Sequence, residues 1–253
     1  MAGDSSIFIK TYNTIKDKIL HLEYRPGQSI SIASIAESLG VSRTPVHDAL
    51  VKLSTENLID MFPQSGSRVS LIDIKKCDDE RFLRKALEIY ALQEMFYAYD
   101  ESFLKEMERS IVEQQKAFDE DRLIDVLYWD DNFHRQIFKC IDKEYCCDIS
   151  HMYSANEYRV RLLALKAINS TQDVTLHNHN DIIRFIRSRD LKALISVEEQ
   201  HLSRIAREIT VLVAKYPNLF ISGNSDEVPQ NIRAKKEYNN NFLDTIEKMT
   251  MKD

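Results

Sequence analysis

The sequence predicts a mainly α-helical protein, an N-terminal winged helix-turn-helix joined to a C-terminal antiparallel α-helical bundle. Three observations predict it. Glycine supplies only 5 of 253 residues, too few for the turns and phosphate loops of sandwiches, barrels or doubly wound folds. Residues 76–215 contain no proline and no strand pattern, and their apolar residues recur at helical spacing. Residues 1–72 read instead as helix, helix, turn, helix and hairpin. With 43% hydrophobic and 29% charged residues, the chain has the profile of a globular protein rather than a disordered one.

In the head, Ile15, Ile19 and Leu22 place an apolar stripe on a first helix that stops at Arg25-Pro26-Gly27. Ile32, Ile35, Ala36 and Leu39 make a short second helix, closed by Gly40 as a left-handed cap. Ser42 is suited to cap a third helix with Pro45 in its first turn, and Val46, Ala49, Leu50 and Leu53 form its buried face. Strands over Leu58–Phe62 and Ser67–Leu71 follow, joined by Pro63-Gln64-Ser65-Gly66.

The body divides into six helical segments, 77–100, 101–119, 122–142, 145–168, 174–189 and 190–215, with short linkers as in an antiparallel bundle. Beyond Tyr216-Pro217 the composition becomes polar, and Phe242, Leu243, Ile246 and Met249 suggest one last amphipathic helix. The expected domains are therefore 1–72, 73–221 and a linker-plus-helix tail, 222–253.

Several function classes drop out. Neither G-x-G-x-x-G nor G-x-x-x-x-G-K occurs, nor does H-E-x-x-H. No apolar run approaches a membrane span and Met1–Lys10 lacks a signal-peptide core, so a cytoplasmic protein without membrane attachment is expected. Cys77, Cys140, Cys146 and Cys147 form no C-x-x-C pair and read as idle thiols of a reducing compartment. The net charge of −6 is uneven: residues 1–72 carry seven Lys/Arg and seven Asp/Glu, so the whole excess lies beyond. A neutral head on an acidic body is compatible with DNA binding, because local phosphate contacts outweigh the total.

The body carries a candidate metal constellation. Asp130 and His134 stand one helical turn apart. His134, beside Phe133 and before Ile137 and Phe138, sits at the edge of a buried stripe. His179 precedes Ile182, Ile183 and Ile186, and His201 adjoins Leu202 and precedes Ile205, so both face inward. One inward histidine is ordinarily a satisfied core residue. Three on three separate segments, with an acid one turn from the first, point to a ligand set. Three imidazoles and a carboxylate suit zinc foremost, with nickel, manganese and iron as alternatives. His21, His151 and His177 fit no such pattern and are expected at the surface.

The stretch Ile35-Ala36-Glu37-Ser38-Leu39-Gly40-Val41-Ser42-Arg43-Thr44-Pro45-Val46-His47-Asp48-Ala49-Leu50 closely resembles the GntR family of bacterial transcription regulators, and Arg25-Pro26-Gly27 and Leu58–Val69 match that family's turn and wing. The resemblance implies that the third helix enters the major groove and the wing touches the minor groove or backbone. Its DNA-contacting positions would be Ser42, Arg43, Thr44 and His47 on the helix and Gly66 and Arg68 on the wing. Arg43 suits a bidentate guanine contact. The chain departs from the family at His47-Asp48, where Arg-Glu is usual, and at Ala33-Ser34, where many members carry an arginine. The operator sequence therefore does not transfer.

The body resembles the all-helical C-terminal domain (FCD) of the FadR-like branch, through Asp130-x-x-x-His134, His179 and His201 and through Arg84-Lys85-Ala86-Leu87-Glu88, similar to the family's R-x-x-L-E. That resemblance implies a divalent metal held by one Asp and three His. It also implies that Arg84 clamps an effector carboxylate, with Arg159 or Arg161 either a second clamp or part of a solvated face. The expected function is a homodimeric regulator that reads a palindromic double-stranded operator and senses a small carboxylic acid through its metal. The competing readings are the same regulator with a purely structural metal or none, and a metalloenzyme.

Overall fold

The computed structural model describes residues 2–168 and 171–221. The expected tail linker and final helix lie outside the described residues.

The head consists of α1 (Ala2–Leu20), β1 (Ser29–Ile30), α2 (Ile32–Leu39), α3 (Arg43–Thr55), β2 (Ile59–Phe62) and β3 (Gly66–Val69). Its core joins Ile15 and Ile19 of α1 to Ile35 and Ala36 of α2, the Val46, Ala49, Leu50 and Leu53 face of α3, and Leu58, Ile59 and Val69. Ser31 caps α2 by accepting the Ser34 N–H, and Gly40 closes it at φ +65°. Ser42 precedes α3 in an extended conformation, but its hydroxyl makes no capping bond. Leu22 differs from expectation: it lies beyond α1 at φ +61° and packs on a cluster of the body, because the left-handed turn swings it away from the Ile15–Ile19 stripe.

The sheet has order β1-β3-β2 and is antiparallel, with Ile30 opposite Ser67 and Phe62 opposite Gly66. Strand β1, absent from the sequence reading, is two residues long and shows no periodicity by itself. The wing turn uses left-handed backbone at Gln64 (φ +62°) and at Gly66 (φ +88°), where a side chain would strain the backbone.

The body comprises β4 (Ile72–Asp73), α4 (Ile74–Ala98), α5 (Glu101–Asp119), α6 (Leu123–Cys140), α7 (Glu144–Met152), α8 (Ala155–Ala167), α9 (Thr171–Arg187) and α10 (Leu191–Lys215). A 3-10 turn, Pro217–Leu219, leads to β5 (Phe220–Ile221), which pairs in parallel with β4 and ties the two ends of the body together. One core gathers Leu92, Met95, Leu104, Met107, Phe133, Ile137, Ile182, Ile186 and Leu194 from α4, α5, α6, α9 and α10. A second gathers Ile72, Cys77, Val160, Ala164, Ile205 and Phe220 near the head.

The expected single helix over 145–168 is two helices, α7 and α8, broken at Tyr153-Ser154. The cause is remote in sequence. Glu80 of α4 accepts the backbone N–H groups of Asn156 and Glu157 at 2.9 and 2.8 Å, and the Asn156 side-chain amide at 2.7 Å. It thereby gives α8 the cap that its own first residues lack.

Candidate functional site

Two sites emerge, one on each half of the chain. On the head, burial of Val46, Ala49, Leu50 and Leu53 turns the opposite face of α3 to solvent. Ser42, Arg43, Thr44 and His47 are all exposed there, and Gly66 and Arg68 are exposed on the wing. The Arg68 guanidinium lies 5.9 Å from the Phe62 ring centre. The His47 Nδ1 stands 3.2 Å from Asp48 Oδ1, so an acid adjoins the histidine.

In the body, α6 supplies Asp130 and His134, α9 supplies His179 and α10 supplies His201. All four are buried, and one donor atom of each lies within 4.8 Å of the others. His134 Nε2 and His201 Nε2 are 3.1 Å apart, and His179 Nε2 is 3.5 Å from Asp130 Oδ1. The His179 ring stacks on Phe133 at 3.9 Å and 9°, which fixes its plane. Among the described residues, neither His179 nitrogen nor His201 Nδ1 has a hydrogen-bond partner. Converging buried imidazoles with too few hydrogen-bond partners among them are a poor hydrogen-bond arrangement and a good cation site.

Burial sets the protonation of this group. It lowers His179 to about 3 and His201 well below the ordinary imidazole value, so both are neutral at pH 7. Burial would raise Asp130, yet the adjacent charges hold it well below the carboxylate range. Arg161, 2.6 Å away, is the largest of them. A consequence follows for stability. The unfolded chain takes up protons at these histidines near pH 6.5 and the fold does not, so the metal-free protein should lose stability as pH falls below about 6.5. A melting temperature that is flat between pH 7.5 and 5.5 in chelator would contradict this.

A second layer surrounds the donors. Glu88 Oε1 contacts His134 Nδ1, the arrangement that orients a ligating imidazole. Burial would raise Glu88, but His134 and Arg84 hold it near about 2. Arg84 bridges Glu88 and Glu157 at 3.1 and 3.2 Å. The expected carboxylate clamp is therefore engaged behind the ligand set, in two internal ion pairs. Arg161 reaches Asp130 at 2.6 Å and Asp131 at 2.8 Å. With Gln114, Gln172, Arg204 and Glu208 it walls a cavity of about 10 Å³ beside Asp130.

Arg159, the alternative clamp, is wholly buried elsewhere. It donates to Ser70 O and Asn156 Oδ1, both at 2.8 Å, and Asn156 Oδ1 also accepts the Asp73 N–H at 3.0 Å. It joins the end of the wing to the body. Of the remaining histidines only His177 is exposed. His151 is half-buried, 4.0 Å from Asp131, and His21 is half-buried with its ring 6.2 Å from that of Tyr158. Burial pushes the Cys147 thiol up to about 12 and the Cys77 thiol higher still, which leaves both inert.

Sequence reasoning named Glu88 only as the end of the R-x-x-L-E resemblance, without a role, and missed Glu198, Gln114, Gln172 and Arg204. Glu198 stands three residues before His201, so helical spacing alone could have placed it on the same inward face. It is fully buried, and burial followed by the Glu88 charge pushes its carboxyl well above the usual range. Gln114 and Gln172 carry no charge and no motif to mark them.

Residues 10–69 match the model of the bacterial regulatory proteins of the gntR family, and residues 81–204 match the FCD domain. The chain is 28% identical over 198 residues to the HTH-type transcriptional repressor RspR of Escherichia coli, covering 78% of this chain and 86% of that one. It is also 28% identical over 210 residues to an HTH-type transcriptional regulator of Streptomyces ambofaciens, covering 83% and 87%. Solved structures of E. coli McbR/YncC and of a GntR regulator from Rhodococcus sp. RHA1 share the fold, each with a TM-score of 0.65 and 17% identity. They cover 83% and 81% of this chain, and the match spans 98% of each of theirs. The winged head and the helical body thus identify the chain as a member of the GntR family with an FCD domain, a DNA-binding transcription regulator and not an enzyme.

Proposed function

We propose that the body, residues 73–221, holds a divalent metal at Asp130, His134, His179 and His201 and a small carboxylic acid beside it, and that the acid changes how the head, residues 1–72, binds its operator. The observation that carries this reading is the convergence of four buried donor groups, among which both His179 nitrogens lack a hydrogen-bond partner. Charge supports it too. Arg84, Arg161 and Arg204 face Glu88, Asp130, Asp131, Glu157 and Glu208, more carboxylates than arginines, which favours a bound cation. Three imidazoles and a carboxylate suit zinc foremost, with nickel, manganese or iron as alternatives.

When bound, the ion supplies positive charge and open coordination positions to a carboxylate. The chain's own part is to hold the imidazoles in register through Glu88 and Phe133 and to present Arg161 at the cavity. Coupling to the head has a continuous material route: Glu88 on His134, Arg84, Glu157 at the start of α8, then Asn156 and Arg159 to Ser70. Arg159→Met is expected to leave metal and acid binding intact while removing the acid's effect on operator affinity. A response of wild-type size in that variant would rule the route out.

On the head, Arg43→Ala should weaken operator binding by about 1–3 kcal/mol without changing the melting temperature, since nothing buried is lost. An unchanged gel shift at fixed salt would move the reading surface elsewhere. Two copies binding a palindrome would place heads on a two-fold axis. The exposed Phe82, Tyr90 and Tyr97 stripe along α4 supports dimerisation through the body. No described helix is long and apolar enough to cross a membrane, and a cytoplasmic, DNA-bound place of action fits the reading.

The smallness of the cavity, about 10 Å³, favours a second reading, in which the ion only holds the fold. A thermal-shift screen of organic and sugar acids with and without chelator separates the two. The first reading expects at least one acid to raise the melting temperature only when metal is present. Stabilisation by acid after chelation would make the site a plain polar pocket. Metal retention with no acid response would leave the ion structural.

A further inference from the structure

His134 has a group of donors at each edge of its ring. Its Nε2 faces the first set, 3.1 Å from His201 Nε2 and 4.0 Å from Asp130 Oδ2. Its Nδ1 faces the other way, against Glu88 Oε1 of α4 and 4.0 Å from Glu198 Oε1 of α10. Glu88, His134 and Glu198 are all buried, and one donor atom of each lies within 4.8 Å of the others. Glu198 is the anomaly. It is 0% exposed, yet among the described residues neither of its oxygens meets a hydrogen-bond partner. An apolar side chain would pack there without the cost of a desolvated, unpaired carboxyl. A proton shared with Glu88 would satisfy one Glu198 oxygen and leave the other, since a carboxyl has a single proton to give.

Glu88 is turned to the same point. Arg84 holds its Oε2 at 3.1 Å, which leaves Oε1 against His134, and Arg84 is itself shared with Glu157. Two carboxylate oxygens and one imidazole nitrogen are a ligand set for a divalent cation, and the oxygen majority favours manganese. We propose a second cation site, separate from the first ligand set but sharing His134 with it, made of Glu88 Oε1, Glu198 Oε1 and His134 Nδ1. This builds on the reading that the first set holds a divalent ion, because His134 then carries an ion on each ring nitrogen. As the second ion enters, the Nδ1 proton leaves to solvent and Glu88 changes from hydrogen-bond acceptor to ligand. With three donors, a proton to displace and the Arg84 charge close by, this site is the weaker of the two. Its ion leaves on exhaustive buffer exchange, while the first set keeps its own.

The test titrates manganese(II) into full-length protein already carrying one zinc per chain, and reads free manganese by its electron paramagnetic resonance signal. Zinc keeps the imidazole-rich first set, because divalent affinity is higher for zinc than for manganese. The wild type should take up one manganese per chain. Glu198→Gln, with Glu198→Leu as a second variant should the first not fold, should keep its zinc and bind manganese at least about tenfold more weakly. No uptake by the wild type, or uptake of wild-type strength in a folded variant, overturns the inference and leaves the first ligand set standing. Loss of zinc from a folded Glu198 variant also overturns it, since Glu198 would then be a support of the first set. A wild type that holds no zinc sinks both readings.

Discussion

His179→Ala should purify with little or no metal and melt well below the wild type. The imidazole is one of the four proposed ligands and is fully buried, stacked on Phe133. Loss of an outer partner alone costs about 10–100-fold in metal affinity, so loss of a ligand should cost at least that. Metal bound only to the folded state stabilises by about 2.7 kcal/mol at a hundredfold excess over Kd, and the variant forfeits this on top of the cavity it creates. Elemental analysis and a melting curve with and without chelator check both halves. Chelator should lower the wild-type curve towards the variant's and leave the variant's own curve in place.

The second large effect is at Arg84. Resemblance to the family implies an arginine reaching for the effector, whose removal would spare the fold. The structure gives a different expectation, because Arg84 is buried between Glu88 and Glu157. Arg84→Ala leaves two buried carboxylates without their cation, a change that typically costs about 3–5 kcal/mol. It should also loosen Glu88 from its task of orienting His134, so metal affinity falls together with stability. Adding Glu157→Gln to Arg84→Ala should restore part of the lost stability, since one orphaned charge disappears. Denaturant unfolding of the two single variants and the double variant measures this. Strict additivity would show that Arg84 and Glu157 do not act as a pair.

Much of the architecture is legible in the sequence, and the reasons are local. The Val46, Ala49, Leu50 and Leu53 spacing fixes the buried face of α3, and hence which side of it carries Arg43 and His47. Gly40 stops α2 because only a left-handed residue fits there. Asp130 and His134 fall one turn apart on α6, and inward-facing positions on α9 and α10 carry the other two imidazoles to the same place. What stayed hidden depends on partners distant in the chain. The break between α7 and α8 is capped by Glu80, some 76 residues away, so no glycine or proline announces it. Arg159 is a buried link to Ser70, 89 residues distant, which local spacing cannot distinguish from a clamp or a solvated side chain. The cavity amides Gln114 and Gln172 become significant only once five helices have been packed around them.

The most direct test of the central claim is the metal stoichiometry of the full-length protein. It would be loaded separately with zinc, nickel, manganese and iron(II), freed of excess by exhaustive buffer exchange, and analysed beside Asp130→Ala, His134→Ala, His179→Ala and His201→Ala. The account expects one tightly held divalent ion per wild-type chain and its loss in each variant that remains folded. A wild type that retains none of the four metals, or folded variants that retain as much as the wild type, would contradict it.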